Sequence, residues 1–289
     1  MLRFFKRKTD SMINPKDNSE LLFIQEGVFF MGNNKDDLKK TLSHFGVPDS
    51  EIHHFFDETP QRKILLNNYW ISKYAITNGQ FAKFIEDTNY LSHLTDYEKG
   101  CDVNYMSEGL EMMGTHKRNP LSEYKRIVNN LGGKDYPVSG ITFFEAQAYA
   151  KWADCDLPTE AQWEKAARGN DKRIFSWGND FSQKKINSIE SSHPFPDGIK
   201  VFEKSEYHSP YGCVQMCGNV SEWCIDFFDA SHYECMPENN PCDLRGGQNK
   251  VIRGGGTNKN VVFARTSSRN FANPQARPDF VGFRIVKNE

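Results

Sequence analysis

The sequence has little net charge and no long apolar run. Its 289 residues carry 36 basic and 38 acidic side chains, which gives a formal net charge of −2. Without an excess of positive charge, no overall field attracts nucleic acid or an anionic membrane, so we expect neither as a partner. No stretch matches the apolar centre of a secretory signal or a bilayer-spanning helix, and we therefore expect a cytoplasmic protein.

Cysteine is present, but its pattern excludes most cysteine-based sites. The seven cysteines are an odd number at irregular spacing, and no Cys-x-x-Cys pair occurs. A structural zinc site is therefore not expected, and in a reducing compartment most of the thiols should be free. Cys235 and Cys242 flank a loop. The sequence leaves open whether they pair or bind a metal, although we favour unpaired thiols.

A phosphate-binding loop is also missing, although "RGGGTNKN" at residues 253–260 has three glycines beside a lysine. Such a loop needs spaced glycines, a Lys-Ser or Lys-Thr pair and a helix that begins directly afterwards. Here the glycines are contiguous and the strand-like "VVFA" follows them. The glycines are better explained by a tight turn and a close approach of two backbone segments.

Three helix starts of one type are present. Thr77 precedes Gln80, Thr142 precedes Glu145, and Thr159 precedes Gln162, each by three residues. This spacing predicts capping boxes, in which the threonine hydroxyl and the later side chain satisfy backbone N–H groups reciprocally. Apolar residues recur at helical spacing behind each cap, and Gly169 is placed to end the third helix.

The remaining sequence indicates short strands and long loops. Residues 1–20 are basic and polar, and we expect a flexible tail there. "LLFIQEGVFFMG" and "RKILLNNYWISKYAIT" have the composition of strands, whereas after residue 170 short apolar runs alternate with Gly, Pro, Asn and Asp. We therefore predict one α+β domain over residues 21–289, with little regular structure and long ordered loops.

Several segments together resemble one known family. They occur in the family's order and include "GVFFMGNN", "YPVSGITFFEAQAYAKWADCDLPTEAQWEKAARG", "YGCVQMCGNVSEWCIDFF" and "VIRGGG…VGFRIV". On these motifs the chain resembles the formylglycine-generating enzymes, or sulfatase-modifying factors, from about Leu21 to Val286. The resemblance implies their variant of the C-type lectin fold. Fold alone does not determine the chemistry, because the family includes copper oxidases, other oxidases and members that only bind partners.

The copper chemistry of the founding enzymes is not expected here. By the resemblance, those enzymes hold copper with two cysteines that follow the Arg-Gly-Gly turn. This sequence has no cysteine between Arg253 and Arg284, and Asn258, Lys259 and Asn260 lie near the expected thiol. Copper(I) needs soft sulfur ligands, so we expect no copper. An iron site is not expected either, because the eight histidines are scattered.

The resemblance also implies structural calcium, which binds six to eight oxygen ligands. For a first site it implies the side chains of Asn219 and Glu222, with Gly218 and Val220 as backbone ligands. For a second site it implies Asn187, Ser188, Asp197 and Ile199. Hydrogen bonds within the turn are the alternative role for Asn219 and Glu222. In either case the expected function of the ion is to hold long loops.

A ligand cleft is expected between the loop at residues 100–120 and the segment at 253–280. Its candidate residues are His116, Arg118, Lys259, Arg265 and Arg269, although for Arg265 and Arg269 we favour the alternative that they pair with acids inside the protein. We predict a non-catalytic module, regulatory or immunity-type, that binds a protein or peptide. The alternative is a diverged oxidase, without copper, that acts on a peptide or a small metabolite.

Overall fold

The computed structural model describes residues 11–88, 90, 133–191 and 198–289. Within these ranges short strands and helices alternate with long connections, which confirms the predicted α+β class. The strands are β1 (Ser11–Ile13), β2 (Glu20–Ile24), β3 (Gly27–Met31), β4 (Arg62–Leu66), β5 (Tyr69–Ser72), β6 (Ser221–Phe227), β7 (Lys250–Arg253), β8 (Asn270–Ala272), β9 (Val281–Gly282) and β10 (Val286–Asn288). The helices are α1 (Lys35–His44), α2 (Asn78–Thr88), α3 (Phe143–Trp152), α4 (Glu160–Arg168) and α5 (His232–Cys235). Of the helices in the described ranges, none has the length and apolar character needed to cross a bilayer.

The strands form three sheets. One sheet has the order β1-β2-β5-β10 and is antiparallel throughout, and β3 pairs with β4 in a separate two-stranded sheet. The third has the order β8-β7-β6-β9, in which β6 and β9 are parallel. β6 and β7 place Glu222 opposite Arg253. The last two strands, β9 and β10, pair with β6 and β5, which come earlier in the sequence.

Residues 11–20 belong to the folded domain, which corrects the expected flexible tail at residues 1–20. Ser11–Ile13 pair with β2, and the side chains of Asn14 and Asp17 are buried. Asn14 Nδ2 donates to the carbonyl of Ala153, and Asp17 Oδ2 accepts from the Tyr149 hydroxyl at 2.6 Å. The polar composition was misleading because these groups are buried through hydrogen bonds rather than solvated.

All three predicted capping boxes are present. Thr142 and Glu145 bond reciprocally at the start of α3, and Thr159 and Gln162 do so at the start of α4. At the start of α2, the backbone N–H of Thr77 donates to Gln80 Oε1, while Gln80 N donates to the Thr77 hydroxyl. Helix α4 ends at Gly169, which has a φ of 64°. The predicted apolar faces of α2, α3 and α4 are buried.

The core consists of two large apolar clusters. One is centred on α2, α3 and Trp223, where the rings of Phe81, Phe84 and Tyr149 contact one another. The other packs α4 against strands β2 to β5 and includes the fully buried Trp163. Buried charged side chains lie beside the second cluster. They determine the chemistry of this part of the protein.

Candidate functional site

The segment that begins with Arg253 is anchored by buried ion pairs. Arg253 ends β7, and its guanidinium donates to Glu160 Oε1 at 2.6 Å and to Glu164 Oε2 at 2.7 Å. The two glutamates are four residues apart on α4 and therefore share one face of the helix. All three side chains are fully buried. Neither the arginine nor the glutamates are exposed to a ligand.

Arg265 and Arg269 are held in the same way, which corrects their expected position in a ligand cleft. Arg265 donates to both carboxylate oxygens of Glu58, at 2.9 and 2.6 Å. Arg269 donates to both oxygens of Glu160, at 2.8 and 3.0 Å. Both arginines are buried. They pair with acids inside the protein because a buried guanidinium needs a charged, bidentate partner.

The contiguous glycines allow this packing. Gly254 and Gly255 have φ values of 97° and 67°. A Cβ atom at Gly255 would lie 3.0 Å from the Cα of Ala264, so the two segments approach too closely for a side chain. The following "VVFA" forms a 3-10 helix at Val261–Ala264 rather than a strand. The Asn260 side chain accepts from Val262 N and starts this helix.

The core cysteines are poor nucleophiles. Cys213, Cys217 and Cys224 are buried, and burial raises the pKa of each thiol, to about 12 for Cys217. A thiol that stays protonated at neutral pH is a poor nucleophile, because the thiolate is the species that attacks a substrate. Across the part of the chain that the structure describes, no group of three or more His, Cys, Asp or Glu residues is placed to hold a metal ion. Cys235 and Cys242 are both free thiols in the structure.

Lys259 differs from the arginines because its charge has no acidic partner in the described ranges. Its Nζ lies 5.9 Å from the centre of the Phe263 ring and 5.2 Å from that of Phe280. The side chain is about half buried, and burial lowers the pKa of its ammonium group. The geometry is that of a cation held against two aromatic rings and available to an anionic group from outside.

The first predicted calcium site does not fit its residues. Both carboxylate oxygens of Glu222 accept from Arg284, at 2.8 and 2.6 Å, and Oε2 also accepts from Trp163 Nε1 at 2.6 Å. Arg284 neutralises the Glu222 carboxylate, and this removes its attraction for a cation. The backbone of Asn219 has a φ of 70°. Its side chain bonds to the backbone of Ile199, where Oδ1 accepts from Ile199 N and Nδ2 donates to the Ile199 carbonyl. The predicted site would then retain only the backbone carbonyl oxygens of Gly218 and Val220.

Three residues of the second predicted calcium site lie together. The Asn187 carbonyl accepts from Asn219 N at 2.8 Å, and Asn187 Nδ2 lies 3.3 Å from Asn219 Oδ1. Ile199 exchanges two hydrogen bonds with the Asn219 side chain. The Ser188 carbonyl accepts from Ser191. The carbonyl oxygens of Asn187, Ser188 and Ile199 are of the type calcium prefers, and each accepts a hydrogen bond in this structure. The only carboxylate of this set, Asp197, lies outside the described residues.

The other candidate cleft residues cannot be placed. His116 and Arg118 lie outside the described residues, as does the whole expected loop at residues 100–120. Of the five candidates for the cleft, only Lys259 therefore remains as a described side chain available to a ligand.

The comparisons with known proteins identify the family. The sulfatase-modifying factor enzyme 1-like domain matches residues 7–289. This chain belongs to that family. It is 28% identical to the formylglycine-generating enzyme of Streptomyces coelicolor, over 80% of this chain and 82% of that protein. It is 26% identical to the Bos taurus formylglycine-generating enzyme, over 94% of this chain and 75% of that protein.

Other family members have a different organisation or name. The serine/threonine-protein kinase pkn1 of Chlamydia pneumoniae is 29% identical over 80% of this chain, but the match spans only 35% of the kinase. Among solved structures, PvdO from Pseudomonas aeruginosa superposes with a TM-score of 0.71 at 20% identity, over 98% of this chain and all of PvdO. At that identity the similarity shows the fold, and it confirms the predicted variant of the C-type lectin fold.

The glutamates of the buried ion pairs were not identified from the sequence. Glu160 and Glu164 lie in the family motif "LPTEAQWEKAARG", where two acids four residues apart flank the buried Trp163. An acidic pair on the same helix face as a large apolar residue is a detectable signal. Glu58 carries no such signal, because its partner Arg265 is 207 residues away.

Proposed function

We propose that this chain binds an acidic segment of a protein or peptide partner and does not generate formylglycine with copper. The supporting observation is at the segment after Arg253, where the sequence has no sulfur and Lys259 is the available charge. An ammonium group held by Phe263 and Phe280 is suited to a carboxylate of the partner. The role is regulatory or immunity-type binding, in a cytoplasmic protein with free thiols.

Two further observations support a binding role. The arginines that line the segment are already paired with glutamates, so these side chains present neither a free acid nor a free base to a substrate. The match within the kinase pkn1 indicates that this family's domain also occurs in proteins named for a different chemistry. A structural calcium ion, bound by Asn187, Ser188, Asp197 and Ile199, is part of the proposal, since three of these residues lie together.

We expect no copper-dependent oxygen uptake by this protein. The purified chain is mixed with a cysteine-containing peptide in the presence and absence of added copper, and dissolved oxygen is followed with an electrode. The segment after Arg253 contains no cysteine to hold a soft metal ion, so both traces should match buffer containing copper and peptide alone. A formylglycine-generating enzyme serves as the positive control. Copper-dependent turnover would contradict the proposal, and copper-independent turnover would favour the alternative, a diverged oxidase.

We expect Lys259→Gln to weaken binding of an acidic peptide by about 10- to 100-fold. A hydrogen bond to a charged group contributes about 1.5–3 kcal/mol, and each 1.4 kcal/mol is a factor of ten in affinity. Peptides selected on the wild-type protein from a random display library are measured by isothermal titration calorimetry. Their Asp and Glu residues are then replaced by Asn and Gln.

The control for this experiment is Lys39→Gln, which removes an exposed lysine from α1 and should leave affinity unchanged. Equal affinities of wild type and Lys259→Gln for the selected peptides would contradict the role of Lys259. Selection of peptides without acidic residues would contradict the proposed partner chemistry.

A further inference from the structure

A cavity of about 400 Å3 lies in a part of the fold not used by the proposed function. It is bounded by residues just before β5, the start of α4, the end of β10 and the loop around Asn240. Its volume is within the range of small-molecule sites, roughly 300–1,000 Å3. Neither Lys259 nor its aromatic neighbours line it. Most of the lining residues are polar, and five of them are carboxamides: Asn67, Asn68, Gln162, Asn240 and Asn288.

Two of these carboxamides have a fixed orientation because their oxygens bond to backbone N–H groups. Asn68 Oδ1 accepts from Glu26 N at 2.7 Å, and Asn240 Oδ1 accepts from Asn67 N at 2.9 Å. Since a backbone N–H can only donate, the oxygen of each carboxamide must face it. The Nδ2 groups of Asn68 and Asn240 have no hydrogen-bond partner among the described residues.

The orientation of Asn288 follows by one further step. Gln162 Oε1 accepts from Thr159 N in the capping box, so the Gln162 nitrogen is on its other side. That nitrogen donates to Asn288 Oδ1 at 2.7 Å. The Nδ2 group of Asn288 is therefore also left as a donor, without a partner in the part of the chain that is described. Three N–H donor groups are thus held in place by bonds that the folded protein makes anyway.

The charge of the cavity selects against anions. Its lining contains no Lys, Arg or His, and it contains the carboxylates of Asp156 and Glu289. A phosphate or carboxylate would meet donors but no compensating positive charge. A hydroxyl group fits both kinds of wall, because it accepts from the amide donors and donates to a carboxylate. Leu157 and Ile225 supply the apolar contact that the C–H face of a ring would use.

We propose that this cavity binds an uncharged polyhydroxylated ligand, a neutral sugar or a sugar-like polyol. The fixed amide donors of Asn68, Asn240 and Asn288 hydrogen-bond its hydroxyl oxygens, and Asp156 accepts from one of its hydroxyl groups.

The test uses aspartate variants of two of the carboxamides. Asn240→Asp and Asn288→Asp keep the oxygen that bonds to Asn67 N or Gln162 and replace only the free donor by a second, negatively charged oxygen. The full-length protein is titrated with a panel of neutral mono- and disaccharides, and binding is measured by saturation-transfer NMR. Asn273→Asp is the matched control, because Asn273 Oδ1 makes an equivalent bond to Gln275 N and does not line the cavity.

We expect at least one neutral saccharide to bind the wild type and the Asn273→Asp control equally. Affinity should fall at least tenfold in Asn240→Asp and in Asn288→Asp. Thermal melting of each variant verifies that the fold is retained. The proposal is overturned if no neutral saccharide binds at tens of millimolar, if both cavity variants bind as well as the control, or if sugar phosphates bind better than the neutral sugars.

Discussion

Replacing Glu222 by glutamine is expected to lower the free energy of unfolding by about 3–5 kcal/mol. The Glu222 carboxylate accepts three hydrogen bonds, two from Arg284 and one from Trp163, and both charged side chains are buried. Glutamine has no negative charge and turns an N–H donor towards the guanidinium. Arg284 is then left as an uncompensated buried charge, although it still donates to the carbonyl of Ser72. Urea denaturation monitored by tryptophan fluorescence measures the loss.

The same variant separates the two roles considered for Glu222. If Glu222 only pairs with Arg284, the loss should be the same in calcium and in EDTA, and both proteins should contain equal calcium by elemental analysis. Chelation alone should lower the melting temperature of the wild type through the second set of ligands. If the loss of stability in Glu222→Gln disappears in EDTA, Glu222 is a calcium ligand after all. Glu234→Gln, at an exposed position, should change stability by less than about 0.5 kcal/mol.

Local features of the fold could be predicted from the sequence because their causes are local. A capping box depends on two residues three positions apart, and a buried helix face depends on apolar residues at helical spacing. The starts of α2, α3 and α4 were therefore predicted correctly. The family motifs extended this to the whole fold, because their order along the chain is specific even where each strand is short.

The partners of the buried charges could not be predicted, because they are residues that only the fold brings together. Arg265 and Arg269 have the same sequence signature whether they line a cleft or meet Glu58 and Glu160. Glu222 was assigned to calcium because the loop sequence specifies which residues are present but not which way β6 turns each side chain. Asn14 and Asp17 are a similar case: their polarity is evident in the sequence, but their buried partners are not.

The pairing of these charges also ties together the parts of the fold around the segment after Arg253. Arg253 links β7 to α4 through two glutamates, and Arg284 links the end of the chain to β6 through Glu222. These bonds hold the walls of the segment after Arg253 independently of any metal. We therefore expect substitution at Asn258 or Lys259 to leave the fold intact.

The same buried charges predict an unusual dependence of stability on pH. The pKa of Asp57 is raised to about 7, chiefly by burial and despite Arg269, with Glu58 and Glu160 adding to the rise. The pKa of Asp226 is also raised to about 7, by burial and by Glu160. The folded state therefore binds protons more tightly than the unfolded state between about pH 4 and pH 7. The stability from these groups is complete below about pH 4 and is lost as pH rises through 7.

We expect the free energy of unfolding to increase by on the order of 2–4 kcal/mol between pH 8 and pH 5. Below this range the trend should reverse, because the pKa of Glu160 is lowered to about 2 by Arg269 and Arg253, against the effect of burial. Stability from Glu160 is present above about pH 4.5 and is lost as pH falls towards 2. The maximum should therefore lie near pH 4, where the loss from Glu160 begins to exceed the gain from the two aspartates. Urea denaturation at half-unit steps of pH measures the curve.

The variant Asp57→Asn tests whether Asp57 is a source of the increase in the free energy of unfolding between pH 8 and pH 5. Asparagine carries no charge at any pH, so the variant should be more stable than the wild type at pH 8, and its gain in stability from pH 8 to pH 5 should be smaller by about 1–2 kcal/mol. Asp49→Asn, at an exposed loop position, should follow the wild-type curve. If Asp57→Asn and the wild type change in parallel over this range, Asp57 is ionised throughout, and the charge of Arg269 outweighs its burial.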